Sequence, residues 1–345
     1  MGITHQQAMD WLGSDDFLGL GMEAQAVRNR KTDPRVATYQ IDRNINYTNF
    51  CTEYCSFCAF YRPMGSKEGY IRTLPEMCEK IDEMLALGGT GVLLQGGLHA
   101  DLKIEWYEDL LRALHTRYPQ VHLHCFSAPE IINIAELSGL SLRDTIARLR
   151  DAGLASIPGG GAEILDDEVR QRISRLKCTS AEWEQVHRTA HALGLRTTAT
   201  MMFGCGEELR HRVNHLERVR RIQEETGGFT AFIPWIFAPE NTSLGRKVPE
   251  ATAVDYLKML AVSRLYLDNI DHIQTSWLTP GIKVCQVGLQ FGADDVGSIL
   301  IEENVVYAAG VRNRTNEAEL RRIIADAGYI PAQRDTLYRS YVLKN

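Results

Sequence analysis

The chain has 345 residues, 44% hydrophobic and 24% charged, with 38 Lys and Arg against 44 Asp and Glu and a net charge of −6. That balance excludes a basic stripe able to neutralise nucleic-acid phosphates, and no apolar run approaches the roughly 18 residues that cross a bilayer. A polar stretch from Met1 to Asp10, without the apolar segment of a secretory signal, gives the expectation of a cytoplasmic chain.

The stretch to about Arg30 predicts helix with a turn around Gly13-Ser14, and Asp33-Pro34 ends it. Thr38-Tyr39-Gln40-Ile41 predicts a short strand. From there strands over 44–47, 92–95, 121–126, 154–157, 196–202, 230–233 and 273–277 alternate with helices over 75–87, 104–118, 142–152, 181–193, 208–225 and 251–268. An eighth strand is expected at 296–300, then a helix around 316–327 and a final strand at 337–343. Gly91-Val92-Leu93-Leu94-Gln95 is continuously apolar up to its last residue, as a strand buried on both faces must be. The alternation predicts an α/β fold, a (βα)8 TIM-type barrel with its core over about 39–310. A helical extension over 1–38 and helix and strand additions over 311–345 complete one expected domain, with a doubly wound open sheet as the runner-up. A barrel places functional residues just after its strands, on the C-terminal face.

Five of the eight cysteines are scattered singly, and the other three are crowded into Cys51-x3-Cys55-x2-Cys58, after the first barrel strand. Disulfide frameworks belong to short secreted chains, so the crowded set reads as a metal site. Thiolates select iron–sulfur, zinc or Cu(I). A closed zinc site needs a fourth nearby cysteine or histidine, and none follows within 19 residues. The other reading is a non-catalytic zinc knuckle or electron-transfer cluster completed by Cys78 or Cys125.

Further segments fall at strand ends. Gly96 and Gly97 let the backbone approach a ligand closely, or form a plain strand-to-helix turn. Pro158-Gly159-Gly160-Gly161-Ala162-Glu163 matches no phosphate-loop pattern. Glu163 is placed to accept hydrogen bonds from ribose hydroxyls, or to cap the helix beginning near Asp166. Glu207, in Gly204-Cys205-Gly206-Glu207, also suits the first turn of the next helix. Ser127, Glu130, Trp235, Ser276 and Trp277 are expected to face the mouth as substrate candidates. Arg62 and Arg72, after the cysteines, are candidate partners for a substrate carboxylate.

The C-x3-C-x2-C spacing with Phe57 before its last cysteine resembles the radical S-adenosylmethionine (SAM) superfamily. The resemblance implies that Cys51, Cys55 and Cys58 hold a [4Fe-4S] cluster whose open iron chelates SAM. It implies that Phe57 packs near the adenine, that Gly96 and Gly97 receive the SAM amino group, and that Gly204 and Glu207 form the G-x-x-E element behind the adenine. Asn44–Asn49, Gln95–His99, Ile157–Glu163 and Gly227–Thr230 resemble the group holding futalosine-pathway enzymes and deazaflavin synthase subunits. Phe232–Thr242, Ser276-Trp277 and Gly292–Val306 are similar to its cyclic dehypoxanthine futalosine synthase family. One departure is Cys205-Gly206, where that family is expected to carry His-(Val/Ile); the imidazole is replaced by a thiol or an inert small residue.

The implied activity is a cyclisation in menaquinone biosynthesis. A 5′-deoxyadenosyl radical takes a ribose hydrogen from dehypoxanthine futalosine, the carbon radical adds to the benzoate ring, and loss of an electron and a proton restores aromaticity. The implied partners are that small molecule and a low-potential electron donor such as flavodoxin or ferredoxin. The sibling reading is an aminofutalosine synthase or a deazaflavin synthase subunit, against which Trp235 within Ile233-Pro234-Trp235 speaks.

Overall fold

The computed structural model describes residues 2–344. Helices α1 (His5–Gly13) and α2 (Phe17–Lys31) begin the fold, followed by β1 (Val36–Gln40), β2 (Asp42–Ile45), α3 (Leu74–Ala86), β3 (Gly91–Leu94), α4 (Ile104–Arg117) and β4 (His122–Cys125). Next come α5 (Ala128–Ser138), α6 (Leu142–Ala152), β5 (Ser156–Ile157), α7 (Asp167–Ile173), α8 (Ser180–Ala192), β6 (Arg196–Phe203), α9 (Leu209–Thr226) and β7 (Phe229–Ile236). The last elements are α10 (Ala253–Tyr266), β8 (His272–Ile273), α11 (Ile282–Gly288), β9 (Asp295–Ser298), α12 (Val305–Ala308), α13 (Glu317–Asp326), β10 (Ile330–Arg334) and β11 (Tyr341–Leu343). No helix among the described residues is long and apolar enough to cross a membrane.

Seven strands pair in parallel in the order β2-β3-β4-β5-β6-β7-β8, the barrel wall. The eighth position is filled differently from the regular barrel expected. Residues 295–301 meet β8 through a single parallel bridge, Gln274 to Asp295, and β2 through another, Arg43 to Ile301. The full ladder of β9 is instead with β1, inside a second sheet of order β11-β10-β1-β9. The predicted strand at Thr38–Ile41 therefore exists as β1 but lies outside the wall, because the chain crosses from one sheet to the other at Ile41.

Two apolar cores follow from this split. One, containing Ile45, Leu94, Leu123, Phe203 and Phe232, sits between the wall and its helices. The other, containing Tyr39, Trp277, Val296 and Leu320, lies under the second sheet. The N-terminal helices dock on α10, where Ile3 N donates to Leu265 O at 3.1 Å and Lys258 Nζ to Ser14 O at 2.5 Å. Helix α5 was not predicted, although Ser127-x-x-Glu130 is a helix-start signature: Glu130 Oε2 accepts from Ser127 N at 2.7 Å and Ser127 Oγ at 2.5 Å.

Closure rests on buried charge. Arg264 of α10 donates to Asp294 at 2.5 Å, His272 Nδ1 lies 2.6 Å from the other carboxylate oxygen, and Ile273 N donates at 2.9 Å. Burial by itself would raise the Asp294 carboxyl, but His272 and Arg264 outweigh it and hold it at about 2 against an ordinary 3.8. A carboxylate lowered by folding stabilises the fold above its unfolded value, and that stability is lost as pH falls through the folded one. The denaturant midpoint is therefore expected to fall between pH 3.8 and about 2. Asp294→Asn should flatten that limb, removing roughly 2–3 kcal/mol of pH-dependent stability when compared with wild type by urea denaturation.

Candidate active site

The barrel mouth opens into a cavity of about 430 Å³. One wall follows from strand periodicity: successive side chains alternate faces, and Gln40, Asp42, Asn44 and Asn46 all point inward and line it. This polar ladder leads directly into the loop that carries Cys51, Cys55 and Cys58, and all three line the same cavity.

The cysteine loop makes few bonds within itself and is held by its neighbours. Cys51 N donates to Arg62 O at 3.0 Å, Thr52 N to Leu98 O at 3.1 Å and Ser56 N to Ile173 O at 2.9 Å, while Ser56 O accepts from Leu244 N at 3.0 Å. Cys51 and Cys55 are buried and Cys58 is half-buried, all as free thiols. Burial pushes the Cys51 thiol up and the Cys55 thiol to about 12, a penalty that a bound metal reverses by drawing out the thiolate. Among the described residues the only His, Cys, Asp or Glu trio with ligand atoms all within 4.8 Å is Asp166, Glu168 and His211. Three free cysteine thiols lining one cavity are the soft donor set of an iron–sulfur group.

Gly96 and Gly97 meet the loop from β3. A Cβ on Gly97 would lie 2.2 Å from Phe50 O and 2.8 Å from Cys51 Cβ, and one on Gly96 would lie 2.7 Å from the Tyr47 ring. The Gly96 N–H is already used, donating to Glu130 Oε1 at 2.9 Å. Glu130 also accepts from Tyr47 OH at 2.9 Å and from Ser127. With four donors its lone-pair sites are filled, so Glu130 and Ser127 line the cavity as a brace between two strand ends rather than as substrate ligands.

Glu163, after β5, has φ 39° and a Met202 N–H on its carbonyl at 2.9 Å, which turn its side chain into the cavity. Its Oε1 accepts from Lys177 Nζ at 3.0 Å, whereas Oε2 is buried with no hydrogen-bond partner. Burial alone would lower the Lys177 ammonium; Glu163 and Cys55 hold it above its ordinary value. Lys177 Nζ also stands 5.4 Å over the Phe57 ring. Sequence reasoning missed Lys177, which lies outside every motif and reaches the site only through the packing of the segment after α7.

Trp235 and Ser276 line the cavity as expected. Other candidates do not. Trp277 is 2% exposed in the second core, its Nε1 donating to Ser298 O at 2.8 Å. Gly204, Cys205 and Glu207 lie behind the wall at the end of β6. There Glu207 accepts from Gly204 N and Cys205 N at 2.8 Å and from Arg212 Nε at 2.7 Å. Cys205 is buried, with its thiol pushed up by that burial, and is not part of the cavity lining. Arg62 is tied to Glu68 and to the carbonyls of residues 59–61, and Arg72 to Glu302. The arginine that does line the cavity is Arg334 of β10, paired with Asp295.

Gly97→Ala should force the cysteine loop off its seat at a cost of about 1–3 kcal/mol. The expected result is several-fold less iron and sulfide bound after anaerobic reconstitution; full loading would show that the loop yields.

Residues 45–219 match the family model described as the radical SAM superfamily, and residues 226–344 the one described as CofH/MqnC C-terminal region. A cyclic dehypoxanthine futalosine synthase of Halalkalibacterium halodurans is 46% identical, over 97% of this chain and 90% of that one. The Streptomyces coelicolor protein of the same name is 43% identical, over 99% and 86%. The crystal structure of methylornithine synthase (PylB) superposes with a TM-score of 0.74 at 19% identity, over 96% of this chain and 95% of that one, a likeness of fold. Three thiols in one cavity at the mouth of a barrel of this architecture agree with those matches: the chain belongs to the radical SAM superfamily.

Proposed function

We propose that this chain is a radical SAM cyclase that converts dehypoxanthine futalosine to cyclic dehypoxanthine futalosine in menaquinone biosynthesis. The observation that carries the reading is one cavity with three thiols at its rim and a polar ladder along its wall, in a chain whose two relatives above bear that activity in their names. Cys51, Cys55 and Cys58 would hold a [4Fe-4S] cluster, and Phe57, Gly96, Gly97 and Glu163 would hold SAM beside it. When bound and reduced by one electron, these groups supply a 5′-deoxyadenosyl radical able to take a hydrogen atom from carbon.

The protein's own residues bind, orient and exclude water. The Oε2 of Glu163, without a hydrogen bond and 3.9 Å from the Arg170 guanidinium, would accept from a ribose hydroxyl, while Lys177 Nζ holds the other oxygen at 3.0 Å. Gly204 and Glu207 would act from behind, fixing the end of β6 as the support for a bound SAM. Ile233 and Trp235 offer an apolar wall to an aromatic ring, and Arg334, held by Asp295 and Gln40, lines the cavity as a cation already paired. The electron would come from a low-potential protein such as flavodoxin or ferredoxin at the outer groove lined by Cys55, Cys58, Tyr61 and Arg246.

Anaerobic reconstitution with iron and sulfide, then addition of SAM, reductant and dehypoxanthine futalosine, tests the reading. A [4Fe-4S] absorption spectrum, 5′-deoxyadenosine and a cyclised nucleoside are expected, and all three should vanish in Cys55→Ser. Deoxyadenosine without the cyclic product would turn the assignment to the aminofutalosine or deazaflavin siblings. Glu163→Gln is expected to raise the apparent KM for SAM about tenfold, the loss of one hydrogen bond to a charged group; an unchanged KM would remove Glu163 from the SAM site.

A further inference from the structure

Adjacent carboxylates at the barrel closure face opposite ways. Glu302 points outward, where Arg43, Lys80 and Arg72 all reach it. Glu303 points inward, 6% exposed, and lines the cavity with no cation on it. Its partners are neutral: Asn44 Nδ2 donates to Oε2 at 2.5 Å and Val306 N to Oε1 at 2.8 Å. The backbone that imposes this is unusual, with Leu300 at φ 44° and Glu302 at φ 63°. Non-glycine residues avoid that region, and it persists only where the surroundings over-determine it, commonly at functional sites. Here the three-cation clamp on Glu302 does so, and the outcome is a buried carboxylate aimed at the ligand space without a counter-charge.

We propose that Glu303 is the base of the reaction, the carboxylate that takes the proton the aromatic ring must release after the new carbon–carbon bond has formed. This rests on the cyclase reading. When a ribose carbon radical bonds to a ring carbon, that carbon carries both its hydrogen and the new substituent, and the ring holds the unpaired electron. Restoring aromaticity breaks the C–H bond: the proton passes to Glu303, and the remaining electron leaves to a one-electron acceptor, an oxidised iron–sulfur centre.

The other carboxylates lining the cavity are engaged or placed elsewhere. Glu130 has four donors and Glu163 faces Lys177. Glu53, whose Oε2 has no hydrogen-bond partner and whose carboxyl burial also raises, lies between Cys51 and Cys55 on the cysteine loop rather than at the barrel closure. Asp42, raised to about 6 by burial, takes the Ser298 hydroxyl at the closed end near Arg334. His124 is lowered to about 3 by burial, with Nδ1 2.6 Å from Ser156 Oγ. Burial also raises the Glu303 carboxyl, which suits a base working near neutrality. The charged and titratable groups around it are Arg43, Arg72 and Lys80 on Glu302, Asp42 along β2 and Tyr307 of α12.

The test compares wild type, Glu303→Gln and Glu303→Asp in the reconstituted enzyme, measuring 5′-deoxyadenosine and cyclic product separately together with the melting temperature. In Glu303→Gln, deoxyadenosine should still form while the ratio of product to deoxyadenosine falls about 10²-fold or more. Glu303→Asp should restore part of that ratio, and the melting temperature of the Gln variant should not drop. An unchanged ratio in Glu303→Gln would overturn the assignment. So would a rise in substrate KM with the ratio intact, or a lowered melting temperature with both products lost together. If wild type makes deoxyadenosine but never cyclises the substrate, the cyclase reading itself fails and the assignment falls with it.

Discussion

Two successive buried aspartates govern the closure of the wall. Asp294 is paired with Arg264 of α10 and Asp295 with Arg334 of β10, so one dipeptide is anchored to the wall's helical layer and to the second sheet at once. A buried carboxylate left without its partner costs several kcal/mol, about 3–5 in measured cases. The closing segment therefore has little freedom to slide, and it needs little: a single bridge on each side joins it to β8 and β2. From this fixed start the chain runs through Leu300 and Glu302, both at positive φ, to Glu303, so the cavity's inner chemistry depends on how the wall is closed.

The cysteine loop shows the complementary arrangement. Its three thiols sit on a segment with almost no regular structure, shaped from outside by Leu98, Ile173 and Leu244 and by the bare backbone of Gly97. The glycines are required by the packing itself, since a methyl group at either position would strike the loop or Tyr47. Burial of the thiols and of Lys177 beside Glu163 makes the rim a place of opposed charges in a dry setting, where electrostatic interactions are strong. That setting suits a reactive intermediate that must meet its substrate before it meets water.

Much of the site was legible locally. The cysteine spacing, Phe57, the paired glycines and Glu163 are short-range features, and each lines or shapes the cavity. Misplacements came where one local pattern serves two ends. Ser127-x-x-Glu130 is a mouth position and also a helix start, and the helix start claims its carboxylate. Ser276-Trp277 straddles the wall, so alternation sends the serine to the cavity and the tryptophan to the second core. Cys205, an unusual residue beside a strand end, is turned behind that end by Glu207. Lys177 and Arg334 carry no motif, Glu303 falls in a segment singled out only by its resemblance, and Lys177 reaches the same cavity from more than a hundred residues before the other two.

By itself, then, the sequence determined the strand–helix alternation, the thiol-bearing loop after the first wall strand and the superfamily, because periodicity and close spacing are written in consecutive residues. Only the tertiary structure decided that the wall has seven laddered strands and a bridged closure, and which of two neighbouring residues faces the cavity. It also decided that Glu303 stands there without a counter-charge while Glu302 gathers three cations. The physical reason is that burial and charge pairing belong to distant segments brought together, and a single residue in sequence carries no mark of what will be packed against it.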